Sequence, residues 1–168
     1  TYIKFLGQYK IDVQGRLLAT GTETDTITFT APNHSDGWHR IIFDNTPATN
    51  DSSKLMYCKL EYGNAFWAHG EEFNGGAMFV RDFNKLLVAN CNFTHNKAYL
   101  YGGAISCSNS DILLMNNEFS YNNGDYGGAI YCTGSDITFI NNLIHNNKAL
   151  NEGGGVWVGE SNPVFLNN

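Results

Sequence analysis

The feature that most constrains the fold of this chain is a sequence repeat of about 26 residues, a length within the range of solenoid repeats. The segment "YGGAISCSNS" at 101–110 is followed by "YGGAIYCTGS" at 126–135, in which seven of the ten residues are the same. Gly-Gly doublets begin at residues 75, 102, 127 and 153, and the words "VANCNF", "LMNNEF", "FINNLI" and "FLNN" begin at residues 88, 114, 139 and 165. Because two unrelated words keep one register, the chain from residue 38 onward is predicted to be an array of one repeated unit.

The apolar residues within the repeat are spaced by two, which predicts short strands rather than helices. Two inward-facing columns are expected in the Gly-Gly word: Met78, Ile105, Ile130 and Val156, and two positions later Val80, Cys107, Cys132 and Val158. Two or three short strands per repeat, joined by tight turns, are typical of one coil of a parallel β-helix, in which each strand pairs with its copy about 4.8 Å away. The sequence therefore predicts an all-β parallel β-helix, with residues 1–168 forming a single domain.

Glycine and asparagine occupy fixed places in the repeat. The Gly-Gly doublets, with Gly102, Gly103, Gly127 and Gly128 as the clearest examples, are predicted to form sharp corners before a strand. A column of asparagines lies two residues past an inward position and is expected to form a ladder of stacked amides: Asn90, Asn116, Asn141 and Asn167. The alternative is that these residues are turn formers. A second structural column is predicted at Asn96, Asn122 and Asn147.

These words resemble a known family. "GGAM", "GGAI" and "GGGV", together with "FTHN" at 93–96 and "FSYN" at 119–122, are similar to the repeats of polymorphic outer membrane proteins, which are bacterial surface adhesins best known from chlamydial autotransporters. The resemblance covers residues 73–168, with departures at Ile144 and Gly155. It implies a right-handed β-helix that is secreted or located on the bacterial cell surface. Residues 1–72 are predicted to form irregular coils and resemble the opening coils of β-helical secreted proteins of Bacteroidota.

Composition narrows the classes of partner. The net charge is −6 and no basic patch is present, so no nucleic acid is expected to bind. No apolar run is long enough to insert into a membrane. The sequence stops within a repeat at "VFLNN", so we expect it to belong to a longer protein, whose remaining coils would be one partner.

Cys107 and Cys132 share a column with Val80 and Val158, which favours buried thiols over a disulfide because stacked Cβ vectors are parallel.

No catalytic motif is found, and neither catalytic residues, a metal site nor a cofactor is predicted. The histidines, at positions 34, 39, 69, 95 and 145, do not share one column. Asp111 and Asp136 are expected to stack above Lys85, either as a cation site or, as "NSD" and "GSD" favour, as residues that begin a strand through an Asx turn. The alternative to a non-catalytic protein is a fragment of a carbohydrate-active β-helix enzyme, a polysaccharide lyase or hydrolase, with its active site in other coils.

One outward column is rich in aromatic residues. Phe79, Tyr131 and Trp157 share it, with Ser106 as the break, next to a column of alanines at 77, 104 and 129 that is predicted to form a flat outward shelf. Exposed aromatic residues can stack on sugar rings or anchor a protein, unless a loop covers them. The sequence therefore predicts a non-catalytic secreted or cell-surface solenoid that acts as an adhesin, a stalk or a binding surface, with a glycan or a host or neighbouring surface protein as its ligand.

Overall fold

Short parallel strands make up almost all of the regular structure in the part of the chain that the structure describes. This computed structural model describes residues 1–47, 52–65 and 73–168. Within them, 22 strands belong to four sheets, and every strand pairing is parallel and joins a strand to its counterpart in the preceding or the following coil. The predicted parallel β-helix is therefore confirmed.

Three of the sheets contain six strands, one from each successive coil of the described residues, and the fourth contains four strands, which come from the last four coils. The first sheet contains β1 (Tyr2–Lys4), β4 (Ile27–Thr30), β7 (Cys58–Glu61), β11 (Asn92–Thr94), β15 (Glu118–Ser120) and β19 (Leu143–His145). The second contains β2 (Ile11–Asp12), β5 (Ile41–Asp44), β9 (Met78–Arg81), β13 (Ile105–Ser108), β17 (Ile130–Thr133) and β21 (Val156–Gly159). The third contains β3 (Leu18–Thr20), β6 (Ser53–Met56), β10 (Leu86–Ala89), β14 (Leu113–Met115), β18 (Thr138–Ile140) and β22 (Val164–Leu166). The fourth contains β8 (Asn64–Ala65), β12 (Lys97–Ala98), β16 (Asn123–Tyr126) and β20 (Lys148–Glu152).

The core is a stack of equivalent positions inside the coils. Ile105 pairs with Met78 on one side and Ile130 on the other, and all three side chains are fully buried. In the first sheet the rings of Phe93 and Phe119 stack with centroids 4.9 Å apart. Each such side chain stabilises the fold by roughly 2 kcal/mol through apolar burial. The packing of one coil against the next therefore repeats the same contacts, which explains the repeated inward residues.

The Gly-Gly corner leaves no space for a side chain. Gly102 has a φ of 65°, in the left-handed region that favours glycine. A Cβ on Gly103 would lie far inside van der Waals contact with the carbonyl oxygen of Gly128 in the next coil. The first glycine is thus required by conformation and the second by the close approach of two backbones. Gly127 and Gly128 repeat this arrangement one coil later.

The expected amide ladder lies one residue later than the sequence pattern placed it. Asn90, Asn116, Asn141 and Asn167 all have φ values between 52° and 54°, and their side chains are half-exposed or exposed. A left-handed residue bends the chain sharply from the third sheet into the first, so the strict alternation of inward and outward side chains ends there. The residue that follows points inward instead, and the ladder is formed by the column Cys91, Asn117, Asn142 and Asn168.

A second amide ladder lies in the column that contains Asn96, Asn122 and Asn147. The side-chain oxygen of Asn122 accepts hydrogen bonds from the backbone and the amide of Asn96, both at 3.0 Å. The side-chain oxygen of Asn147 likewise accepts hydrogen bonds from the backbone N–H of Asn122 at 2.9 Å and from its amide at 3.0 Å. These side chains therefore join successive coils at the corner between the first and fourth sheets.

The alanine column is buried, and the predicted outward shelf does not exist. Ala77, Ala104 and Ala129 are each fully buried. The carbonyl of Ala104 accepts the backbone N–H groups of both Ala77 and Met78 at 2.9 Å, so two consecutive residues share one acceptor, as in a β-bulge. Both residues then face the core. The sequence pattern was wrong here because it extended the two-residue alternation through an irregular corner.

Asp111 and Asp136, at the corner before the third sheet, hydrogen-bond to the backbone of turns. The backbone N–H of Asp136 donates to Oδ1 of Asp111 at 2.7 Å, and the N–H of Asp111 donates to Asn84 at 2.7 Å. These side chains therefore cap the turn of the neighbouring coil. All four cysteines are buried and free, as the sequence analysis predicted for Cys107 and Cys132. Across residues 1–47, 52–65 and 73–168, no helix is long and apolar enough to cross a membrane.

Candidate functional site

An aromatic strip crosses the outward face of the second sheet. Tyr131 and Trp157 are paired neighbours on β17 and β21, and their rings lie parallel, with centroids 4.5 Å apart and planes at 4°. Tyr101 comes from the corner before β13 and stacks on the other side of Tyr131 at 4.4 Å. Its ring extends the stack on the side where the column holds only Ser106, which is itself buried. We call Tyr101, Tyr131 and Trp157 the aromatic strip.

Phe79 is buried and does not belong to the half-buried aromatic strip, contrary to the prediction. Only 6% of its surface is accessible. The guanidinium groups of Arg40 and Arg81 lie 5.3 Å and 5.6 Å from its ring centroid, which is the distance range of a cation–π contact. Arg81 in turn makes two hydrogen bonds of 2.8 Å with the carboxylate of Asp44, and these bonds lower the pKa of that carboxyl. Long side chains from neighbouring positions thus cover Phe79.

A small cavity separates Phe79 from the aromatic strip. Its volume is about 240 Å³. It is lined by Asn74, Phe79, Arg81, Tyr101, Ser106, Ser108, Tyr131 and Thr133. The cavity lies at Ser106 because a small side chain there stands between much larger neighbours in the same column. Aromatic walls with a few hydroxyl groups suit one apolar or aromatic side chain of a partner.

The central ring of the strip, Tyr131, presents its edge rather than its faces. Both faces of Tyr131 are occupied, one by Tyr101 and the other by Trp157. Burial raises the pKa of the Tyr131 hydroxyl, and the nearby Tyr101 adds to the effect. The indole N–H of Trp157 donates to Glu152 at 3.0 Å. Stacking of a sugar ring between these side chains is therefore blocked, whereas edge contacts and hydrogen bonds to a partner are possible.

A second concave surface follows the corner between the third and first sheets. We call it the amide groove; it has a volume of about 530 Å³ and extends across successive coils from Thr26 to Leu143. One wall is a column of left-handed residues, in which Tyr57 is followed by Asn90, Asn116 and Asn141. The other wall is the first outward column of the first sheet. Its lining residues are Glu23, Thr26, Tyr57, Cys58, Lys59, Asn90, Cys91, Asn92, Asn116, Asn117, Glu118, Asn141 and Leu143. Sequence analysis named Asn90, Asn116 and Asn141 as members of a structural amide ladder, with turn formation as the alternative.

One carboxylate in this groove has two side-chain partners. Glu118 accepts a hydrogen bond from the amide of Asn92 at 2.9 Å and lies 3.0 Å from Nε2 of His145. The pair of Glu118 and His145 stands on neighbouring strands, β15 and β19. It is partly exposed. A carboxylate that orients an imidazole is an arrangement found in general acid–base catalysis.

A further aromatic column on the opposite edge of the first sheet was missed from the sequence. The rings of His34 and Tyr62 stack with centroids 3.7 Å apart, and His95 and Tyr121 stack at 5.3 Å. Tyr62, His95 and Tyr121 share left-handed φ values between 56° and 59°. The alignment of His95 with Tyr121 in the repeat was the available signal.

His69 lies outside the described residues, and in the described ranges no group of three or more His, Cys, Asp or Glu side chains could hold a metal ion.

Comparison with known proteins identifies one family. A family model described as "Right handed beta helix region" matches residues 36–168, which is most of the chain. Searches among curated proteins and among solved structures gave no match.

Proposed function

Since the chain belongs to the right-handed β-helix family, we propose that it is a non-catalytic solenoid of a secreted or cell-surface protein, and that its aromatic strip binds a protein on a neighbouring surface. The observation that carries this proposal is the three-ring stack of Tyr101, Tyr131 and Trp157 on an outward sheet face. Tyrosine and tryptophan are among the residues most often found at the energetic centres of protein interfaces.

The geometry of the strip favours a protein over a glycan at this face. Stacking fixes the rings before binding, so little side-chain entropy is lost when a partner docks. The cavity beside Tyr101 and Tyr131 can receive one anchoring side chain, and Ser108 and Thr133 on its lining offer hydroxyl groups. A glycan that stacks on aromatic rings needs exposed ring faces, and those of Tyr131 are covered.

The surface location and the adhesin role rest on the resemblance to polymorphic outer membrane protein repeats. The motifs "GGAI" at 102–105 and "FSYN" at 119–122 are among the parts of the chain that carry it. In the structure these motifs supply a tight corner at Gly103 and a ladder amide at Asn122. Such motifs build a rigid support, and a rigid support that displays a fixed row of rings is suited to adhesion.

The test is adhesion of beads that carry the purified chain. Beads with the parent chain should adhere to a cell layer or to immobilised surface proteins, and Tyr131→Ala and Trp157→Ala should each weaken adhesion by about tenfold. Tyr121→Ala is the matched control, because Tyr121 is an exposed, ring-stacked residue on a different corner. Equal adhesion of all four proteins, with thermal unfolding unchanged, would refute the role of the strip.

The second candidate is a carbohydrate-active enzyme, and the Glu118–His145 pair is the observation that favours it. A polysaccharide panel incubated with the chain would release reducing ends or unsaturated products if the pair were catalytic. Glu118→Gln and His145→Gln should then abolish the release. Release that both variants abolish would replace the non-catalytic proposal.

A further inference from the structure

We propose that Cys58 and Cys91 form a two-coordinate site for copper(I), in which the metal ion lies between the two sulfur atoms. Both residues belong to the ladder column of Asn117, one coil apart, and both line the amide groove. The site lies at a different corner of the coil from the aromatic strip, and the proposal does not depend on protein binding by that strip.

The two thiol groups meet inside one corner of the solenoid. The backbone N–H of Cys58 donates to Sγ of Cys91 at 3.4 Å, and the two thiols also hydrogen-bond to each other. Because β7 and β11 pair in parallel, with Lys59 opposite Asn92, the two cysteines lie opposite each other one residue earlier. Their backbones are therefore about 4.8 Å apart, the spacing of adjacent parallel strands.

This spacing suits a metal bridge better than a disulfide. A disulfide needs sulfur atoms about 2.05 Å apart and Cβ atoms that point toward each other, whereas stacked residues have parallel Cβ directions. A bond between a metal ion and a thiolate is about 2.3 Å long, so two such bonds in line span about 4.6 Å. A linear bridge from sulfur through the metal to sulfur thus fits the spacing of the coils with little movement of either strand.

The number and the type of ligands select the metal. Zinc uses three or four protein ligands and iron–sulfur clusters use four. Within residues 1–47, 52–65 and 73–168, His, Cys, Asp and Glu side chains form no group of three or more around a possible metal position. Thiolate sulfur is a soft ligand that favours copper(I), and copper(I) accepts two ligands. Copper(I) is therefore the metal that this pair fits.

Replacement of the two thiol protons by the metal costs the ladder little. The S–H group of Cys58 donates to the carbonyl of Ala19 at 3.3 Å, and that of Cys91 donates to Ala89 at 3.2 Å. A thiol is a weak donor, so these contacts are weaker than the amide bond that Asn117 makes at the same position of the next coil. Binding releases both protons to solvent and leaves one negative charge on the complex. The N–H of Cys58, which already donates to Sγ of Cys91, stabilises that charge.

Access distinguishes this pair from the other stacked cysteines. Cys107 and Cys132 also face each other on neighbouring strands, but they are fully buried in the core and do not line the amide groove. Cys58 and Cys91 retain 2% and 3% of accessible surface, and the groove that they line has a volume of about 530 Å³. Copper(I) can therefore reach Cys58 and Cys91 from solvent, and Cys107 with Cys132 provides an internal control.

The test is a copper(I) titration of the reduced chain in the absence of oxygen, in competition with the chromogenic chelator bicinchoninate. We expect the chain to hold one copper(I) ion against the chelator and to develop an ultraviolet charge-transfer band between sulfur and copper. Native mass spectrometry with silver(I) as a stand-in should show one added ion and the loss of two protons. If the chain takes up no copper(I), or if the isolated chain contains a Cys58–Cys91 disulfide, the proposal is wrong.

Substitutions locate the ion. Cys58→Asn and Cys91→Asn each remove one sulfur atom and supply the amide that later coils use at the same position, so the ladder is kept. Each should weaken copper(I) binding by more than about 100-fold, because the loss of a ligand exceeds the effect of residues that only support ligands. Cys107→Val is the matched control, and it should leave copper(I) binding unchanged.

Further variants and a second metal keep the result decisive. If an asparagine variant fails to fold, Cys58→Ser and Cys91→Ser replace it, because serine keeps the size of the side chain and loses the soft ligand. Equal copper(I) affinities of the parent and the folded variants would overturn the proposal, as would a loss of binding in Cys107→Val. Tighter binding of zinc than of copper(I) would also overturn it, since zinc needs ligands that the pair does not supply.

Discussion

The amide of Asn117 donates a hydrogen bond of 3.0 Å to Oδ1 of Asn142, and the same oxygen accepts the backbone N–H of Asn117 at 3.0 Å. Asn117 also reaches the preceding coil, where its amide donates to Val88 and its Oδ1 accepts the N–H of Cys91, both at 2.9 Å. One buried side chain therefore connects three successive coils. The sequence analysis assigned this role to the neighbouring residue, Asn116.

Replacing Asn117 with alanine should reduce the free energy of unfolding by about 3 kcal/mol. The substitution leaves the N–H of Cys91 and the carbonyl of Val88 buried without these partners, and each unsatisfied group costs about 1–3 kcal/mol. Urea denaturation followed by tryptophan fluorescence measures the change.

The neighbouring residue provides the control for that experiment. Asn116→Gly should change the free energy of unfolding by less than about 0.5 kcal/mol, the range of ordinary surface substitutions. The side chain of Asn116 is exposed, and its φ is 53°, a conformation that glycine adopts without strain. If both substitutions destabilised the chain equally, the distinction between the structural column of Asn117 and the exposed column of Asn116 would be lost.

Cys107 and Cys132 should not react with thiol reagents in the native protein. Burial raises the pKa of Cys132 to about 12 and raises the pKa of Cys107 well above its usual range, so almost no thiolate forms at neutral pH. Iodoacetamide labelling with peptide mass spectrometry should modify both residues only after denaturation. A Cys107–Cys132 disulfide in the native chain would contradict this.

Cys107→Val should be a mild substitution. Val80 occupies the same column on the neighbouring strand, so the site accepts the shape of valine. A swap of apolar side chains of similar volume costs less than about 1.5 kcal/mol. Urea denaturation of the parent and the variant measures the difference, and a larger loss would show that the thiol has a role beyond filling space.

Protonation of Asp44 in acid should lower the stability of the protein, because it removes the ion pair with Arg81. The pKa of Asp44 lies below the ordinary value of 3.8 because Arg81 hydrogen-bonds the carboxylate. The ion pair thus contributes its full stabilising free energy at pH values above the ordinary pKa. This contribution disappears as the pH falls through the lowered pKa. The pair is partly exposed, so Asp44→Asn should lower Tm by no more than about 4 °C at neutral pH. The difference should shrink as the pH approaches about 2.

Thermal melts of the parent and Asp44→Asn across this pH range measure the effect. Glu160→Gln serves as the comparison, because Glu160 is an exposed acid at another corner. A Tm difference between parent and Asp44→Asn that stayed constant down to the most acidic condition would show that the Arg81 pair is not the cause.

The architecture could be predicted from the sequence because packing imposes the same demand on every coil. Ile105 and Ile130 must fill the same space, so the repeat is visible directly in the inward columns. The corners could not be predicted in the same way. Alternation assumes an extended backbone, and a left-handed residue such as Asn116 shifts the phase by one. The signal that could have corrected this was Cys91, which lies in the same column as Asn117 and is of a residue type that is usually buried.

The candidate surfaces were predicted only in part, for a different reason. Tyr131 and Trp157 were found because they are in register on adjacent strands. Tyr101 was missed, because its ring reaches the strip from a corner rather than from a strand of that sheet. The exposure of Phe79 was overestimated, since the covering contacts of Arg40 and Arg81 depend on side-chain directions that column alignment does not contain.

The pairing of each strand only with its counterparts in adjacent coils has a mechanical consequence. β13, for example, pairs with β9 and β17 alone. In such an array stability is close to a sum of nearest-neighbour terms. A force that pulls the two ends of the chain apart would therefore detach the outermost coil first and release it whole before loading the next. The molecule should yield in a series of small steps, each the length of one coil, and, when the tension relaxes, rewind from whichever coils remain.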